Sequence, residues 1–208
     1  AYWITDYTAD DMIVIDNVAV SKVATVKKSS DLTFTVTKGS IRLVDGTGKH
    51  VTFKDKNGNV ILSQQFGTDS ITVTNNDAAT INASIDGSIA TIDGSTRTNS
   101  TVYLGNAKAN YISSAGDSTI TTGKGKDTVD YISGNSIITD YAVGTDVIKF
   151  HNSISKVTTS SDGKDLIFAT SLNESLTLTK MAGKKITIID NEGVQTSQIY
   201  GKVTLAVA

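Results

Sequence analysis

The residues able to do chemistry are few. The 208-residue chain has no cysteine and two histidines, His50 and His151. Disulfides and thiolate metal sites are excluded, and two histidines are too few for a histidine-rich zinc centre. Neither histidine stands in a triad spacing or a metal-ligand spacing. No Gly-x-Ser-x-Gly elbow and no phosphate-binding loop is present, and nothing selects a pair of carboxylates for glycoside hydrolysis. Carboxylates remain. Asp6, Asp10 and Asp11 form an acidic cluster that could offer oxygens to a hard cation, though solvated turn residues are the plainer reading. Asp127 follows two glycines in Thr122-Gly123-Lys124-Gly125-Lys126-Asp127, and Asp146 follows Gly144 two positions on. No catalytic centre is expected.

An element that could position these carboxylates is written in the spacing of apolar residues. Tyr111, Ile120, Val129, Ile138 and Val147 recur every nine positions, with Val102 one step earlier. Gly, Asn, Ser, Asp and Thr fill the intervals. A helix has no such period, and a plain amphipathic strand alternates every two. A nine-residue repeat of turn plus short strand has it, with one inward side chain per strand, so the segment reads as a β-solenoid.

A second repeat is larger. Ile4-Thr5-Asp6-Tyr7 recurs as Ile138-Thr139-Asp140-Tyr141, and Asp31-Leu32-Thr33-Phe34 recurs as Asp165-Leu166-Ile167-Phe168. GKHVTFKDKNG (48–58) matches GKKITIIDNEG (183–193), and DDMIVIDN matches TDVIKFHN. Residues 1–73 and 135–207 are therefore two copies of one unit with the roll between them. Each copy alternates apolar and polar residues, as half-buried strands do, with turns such as Lys56-Asn57-Gly58-Asn59. The expected division is 1–73, a first strand-rich unit entered part-way; 74–150, the roll; and 151–208, the second unit. Ile81, Ile85, Ile89 and Ile92 could pass for a helical stripe. The Asp, Gly, Ser, Thr and Asn between them favour short strands with turns at Asp86-Gly87 and Asp93-Gly94.

Composition agrees. The chain is 38% hydrophobic and 19% charged, hence globular, and it contains no proline, which suits uninterrupted strand ladders. The net charge of −2 gives no reason to propose a nucleic-acid partner. No apolar run reaches the length of a membrane span. The fold class expected is all-β: a parallel β-roll flanked by two homologous, sandwich-like, strand-rich units. Trp3, Tyr7, Phe34, Phe53, Phe66, Tyr111, Tyr131, Tyr141, Phe150 and Phe168 are expected to pack in the core and across strands.

Residues 122–130 resemble the nonapeptide G-G-x-G-x-D-x-U-x of the RTX, or hemolysin-type, calcium-binding repeat family, with Thr122 in place of the first glycine. The resemblance extends over Thr91–Phe150 and into the strand-rich phrase GKKITIIDNEG. It implies a parallel β-roll and an extracellular or bacterial cell-surface location. It also implies a role in adhesion, surface-layer or matrix formation, or folding outside the cell. It places Ca²⁺ at Gly123, Gly125 and Asp127, with Gly144 and Asp146 a second partial match. The departures limit this to one or two weak sites, or to none. Asn110, Ser118 and Asn135 stand where other members carry aspartate, and Lys124 and Lys126 add positive charge. Asn and Ser can instead hydrogen-bond the turn backbone.

The expected function is a non-catalytic structural protein that associates with itself. Trp3, Ile4, Asp6 and Tyr7 are the assembly candidates, with residues 1–16 pairing with another copy's roll or sheet. The alternative is a calcium-binding folding and export module of a secreted enzyme, for which the small apolar C-terminus VTLAVA is a weak pointer. An enzyme of the pectate-lyase or alginate-epimerase kind ranks last, since only analogy of fold suggests it.

Overall fold

The computed structural model describes residues 1–8, 10–16 and 19–201. The VTLAVA segment lies outside the described residues.

Alternation in the first block folds into seven strands. They are β1 (Tyr2–Ile4), β2 (Ile13–Val14), β3 (Val20–Thr25), β4 (Leu32–Val36), β5 (Gly39–Leu43), β6 (His50–Lys54) and β7 (Val60–Gln65). They form a four-stranded sheet, β1-β5-β4-β3, facing a three-stranded one, β2-β6-β7. Leu32, Phe34, Leu43, Val51, Phe53 and Phe66 are fully buried. Phe34 meets Phe53 and Phe66 edge-on, with ring centroids 5.0 and 5.3 Å apart. Each such pair contributes about 0.5–1.5 kcal/mol beyond area burial. Asp55 closes the β6–β7 turn by accepting the amides of Asn57 and Asn59, both at 2.8 Å.

The roll follows: β8 (Ser70–Thr72), β9 (Thr80–Asn82), β10 (Thr91–Gly94), β11 (Thr101–Leu104), β12 (Tyr111–Ser114), β13 (Ser118–Thr121), β14 (Thr128–Tyr131), β15 (Asn135–Ile138) and β16 (Val147–Phe150). Successive strands alternate between two sheets. Within each sheet, roll neighbours pair in parallel, as in Ile112↔Val129 and Tyr103↔Ile120. The period of nine is thus half a coil, and a full coil contains two strands. The inward residues are Ile92, Tyr103, Ile112, Ile120, Val129, Ile138 and Ile148, all buried. The strict nine-residue phase fails at its ends: Tyr103, Ile112 and Ile148 point inward where Val102, Tyr111 and Val147 were expected. The turns differ in length, so the spacing varies. Tyr111 is on the outer face, as is Trp3, which corrects two of the ten aromatic assignments; the other eight are buried.

The isoleucine stripe at 81–92 contains only one 3-10 turn, Ala83–Ile85, with Asn82 accepting the amide of Ser84. Asp93 and Gly94 end β10 and open the turn after it, Asp93 Oδ1 accepting the amide of Ser95 at 3.0 Å and Gly94 O that of Arg97 at 3.1 Å. A Cβ on Gly94 would fall 2.0 Å from Tyr103 Oη, so the glycine makes room for a buried phenol.

The chain ends in β17 (Ile154–Thr159), β18 (Leu166–Thr170), β19 (Ser175–Leu178), β20 (Lys185–Ile189) and β21 (Gln195–Ile199). These strands extend the roll's own sheets, giving the orders β17-β18-β19-β15-β13-β11-β9 and β21-β20-β16-β14-β12-β10-β8. The sequence repeat is a repeat of hydrogen bonds. β1 on β5 corresponds to β15 on β19, β2 on β6 to β16 on β20, and the β3–β4 hairpin to β17–β18, with its irregularity between Val20 and Lys22 repeated between Ile154 and Lys156. Tyr7 Oη donates to Asp11 O and accepts from Thr52 N; Tyr141 Oη donates to Asp146 O and accepts from Thr187 N. The first block keeps its own core, whereas β17–β20 share that of the roll. Between the first block and the roll lies a polar seam. Gln64 bonds the backbone of Asn82 at both ends of its amide, and Asp86 accepts the amide of Gly67 at 2.8 Å. Among the described residues no helix is long and apolar enough to cross a membrane.

Candidate functional site

On one side of the roll the turns stack into a row: Gly105–Asn110, Thr122–Asp127 and Asp140–Asp146. They sit very close. A Cβ on Gly105 would lie 1.9 Å from Thr122 O, and one on Gly123 would lie 2.3 Å from Asn106 O. Gly123 also takes φ of 95°, which disfavours any other residue. These glycines are therefore required by turn-on-turn packing alone. Gly144, at φ of 76°, has open space around its Cβ position and serves only its own turn.

The carboxylates link the turns. Asp146 Oδ1 accepts the amide of Asp127 at 3.1 Å, and Asp127 Oδ1 accepts the amide of Asn110 at 2.6 Å. Asn110 Oδ1 accepts the amide of Asn106 at 2.8 Å, within its own turn. Asp140 takes the amides of Thr122 and Gly123 at 2.8 and 2.9 Å. Asp127, Asp140 and Asp146 thus cap amides of the turn before their own. Burial pushes the Asp127 carboxyl up to about 6, with the charges of Asp146 and Asp140 adding to the rise and the amide of Asn110 opposing it. Burial likewise raises Asp146.

The expected metal residues therefore do meet: Asp127 and Asp146 are buried neighbours on successive coils, with Gly123 and Gly125 in the first turn and Gly144 in the second. Their oxygens are already engaged. Of the four carboxylate oxygens on Asp127 and Asp146, only Asp127 Oδ2 has no partner. Calcium takes six to eight oxygens at about 2.3–2.6 Å. As placed, this donor set does not fit a closed calcium site. No group of three or more acidic, histidine or cysteine side chains suited to a metal occurs among the described residues.

The assembly candidates lie at the opposite end of the chain. β1 and β2 are the edge strands of their sheets. Tyr2 is 76% exposed, Trp3 62%, Met12 51% and Val14 59%. Tyr2, Trp3, Ile4, Ile13, Val14, Val36 and Ile41 line a groove of about 550 Å³ there. The Arg42 guanidinium sits 4.4 Å over the Trp3 ring and is held from behind by Asp31. Asp6 is exposed and Ile4 half-buried, while Tyr7 is buried and ties its own turn together, so its ring presents nothing to a partner.

Two polar clusters were not legible from the sequence, because strand register brings their members together. In one, His50 Nε2 lies 3.2 Å from Ser63 Oγ and 3.1 Å from Asp77 Oδ1. A nucleophilic relay needs the serine on one ring nitrogen and the carboxylate on the other. Here both contacts fall on Nε2, so no relay forms. In the other, Asp130 on the outer face receives Tyr111 Oη at 2.8 Å, His151 Nε2 at 2.8 Å and Lys149 Nζ at 3.5 Å. Burial, followed by the bond to Asp130, pushes the Tyr111 phenol up to about 12.

No known family profile matches the chain, and no curated protein matches it. Among solved structures it is similar to the extracellular lipase LipA from Serratia marcescens, with 11% sequence identity and a TM-score of 0.35. The match covers 86% of this chain and 31% of the lipase, so the chain spans about a third of that protein's length.

Proposed function

We propose that this chain is a non-catalytic, extracellular structural module that joins its neighbours by strand addition at the β1/β2 edge. The observation that carries the reading is the unequal treatment of one block. β15 and β16 are paired on both sides, and their counterparts β1 and β2 are paired on one. Open edges next to exposed aromatic and aliphatic side chains are templates for another strand. The RTX-like resemblance and the location at a cell surface or in a matrix belong to the same proposal. Sedimentation at rising concentration tests it. The full chain is expected to associate, and Tyr2→Lys with Val14→Lys to abolish association; equal behaviour of both proteins refutes the reading.

A calcium-binding folding and export module is the second reading, favoured by the buried, unpartnered Asp127 Oδ2. It requires Asp127 and Asp146 to exchange amide caps for an ion. Calorimetry in Ca²⁺ and in chelator decides it: a melting temperature that is the same in both removes this reading.

A further inference from the structure

The second block shows what a free edge of this block accepts. β15 carries β13 through Thr119↔Ile137 and Ile120↔Ile138, and β16 carries β14 from Thr128↔Val147 to Tyr131↔Phe150, all in parallel. The coil so bound is also gripped at its turn. Asp140 takes the amides of Thr122 and Gly123, and Asp146 takes that of Asp127. The first block has the same two carboxylates. Asp6 corresponds to Asp140 and Asp11 to Asp146. Asp11 already performs the local half of the pattern: its Oδ2 accepts the amide of Thr8 at 2.7 Å, as Asp146 Oδ2 accepts that of Ala142 at 2.8 Å. Among the described residues no donor reaches Asp11 Oδ1 or either oxygen of Asp6.

Charge and apolar surface agree with this vacancy in the pattern. Where the second block has Thr145 and His151, the first has Asp10 and Asp16. The turn that the second block grips carries Lys124 and Lys126. Tyr2 stands where Ser136 is fully covered by the preceding coil, and it is 76% exposed.

The geometry points to one occupant: the open end of a parallel β-roll with a glycine-lysine turn, of the kind Ser118–Tyr131 forms. It adds in parallel to β1 and β2, with Asp6 and Asp11 capping its turn amides. The inference rests on the assembly reading in taking this edge as a contact surface, and it names the partner. In the intact chain the corresponding end of its own roll is covered by β15 and β16. The two blocks therefore accept one kind of roll end, and association of full chains through this edge is the weaker contact, since their own corresponding ends are already paired.

A chain ending at Gly134 keeps β1–β14 and leaves β13 and β14 open; it is the probe, followed by sedimentation velocity. Alone it is expected to form head-to-tail oligomers. Added full chain is expected to bind the open end and stop growth. Asp6→Ala in the full chain removes two charge-assisted caps and is expected to weaken that binding about tenfold or more. If the full chain associates with itself through Tyr2 and Val14 but ignores the probe, the occupant is wrong and the assembly reading stands. If neither associates, both fall. Should the truncated chain not fold, residues 1–134 are joined through Gly134 to Ala1 of a full chain. Amide exchange at Thr122, Gly123 and Asp127 of the first copy is then expected to match that of the second copy. Fast exchange in the first copy overturns the inference.

Discussion

The first and last blocks have the same strands, turns and tyrosine bridge, yet they sit in the molecule differently. The last is built onto the roll and buries its apolar face in a shared core; the first closes on itself and meets the roll across Gln64, Asn82 and Asp86. Context, more than local sequence, decides whether such a block is a separate cooperative unit. The sharpest way to break this comparison is to empty both cores at the same place. Phe34→Ala and Phe168→Ala each remove a fully buried ring and are expected to cost about 3–5 kcal/mol. Phe34→Ala should lower the transition seen by Trp3 fluorescence and spare the roll. Phe168→Ala should melt the roll and spare the Trp3 signal. Loss of both signals together in either variant would show one cooperative unit.

The turn row gives a contrast of similar size. Gly105→Ala drives a methyl into Thr122 O and is expected to cost about 3 kcal/mol, at the upper end for overpacking. Gly144→Ala meets open space and should cost only about 1 kcal/mol for its left-handed backbone. Urea titration measures both, and equal losses would mean that turn stacking is looser than described.

Smaller again is the tyrosine bridge. Tyr7→Phe and Tyr141→Phe each strand a backbone amide and a carbonyl, at about 1–3 kcal/mol. The two losses should agree, since the bridge is the same in both blocks. A large difference in chemical denaturation would show that the blocks are alike in form and unlike in strength.

The smallest effect concerns pH. The Asp127 carboxyl is raised from 3.8 to about 6, so the folded chain holds a proton there that the unfolded chain releases. Its contribution is fully present below about pH 4 and is lost as pH rises through 6. Asp127→Asn should flatten that decline and leave the first block's transition unchanged. A decline of unchanged slope would place the titrating group elsewhere.

The periodicity and the repeat were readable because they rest on residue type alone. Ile120, Val129 and Ile138 point inward as expected. Tyr111 and Val147 do not, because a turn one residue longer or shorter moves the inward position, and turn length leaves no mark in an apolar count. Trp3 was assigned to the core by its strand pattern, but an outer-face ring at a sheet edge alternates just as a buried one does. The aspartates were legible, and the amide caps they make one turn back were not. A carboxylate that caps an amide one coil back looks the same in sequence as one awaiting a cation. His50, Ser63 and Asp77 are scattered along the chain, and only the β6–β7 register and the loop after β8 bring them to one place.

One consequence of the matching blocks concerns length. A roll grows by whole coils, and each added coil lifts whatever follows by one inter-strand spacing, about 4.8 Å, with a fixed increment of twist. Inserting or deleting coils between the two blocks would therefore reset their separation in discrete increments while leaving both blocks chemically unaltered.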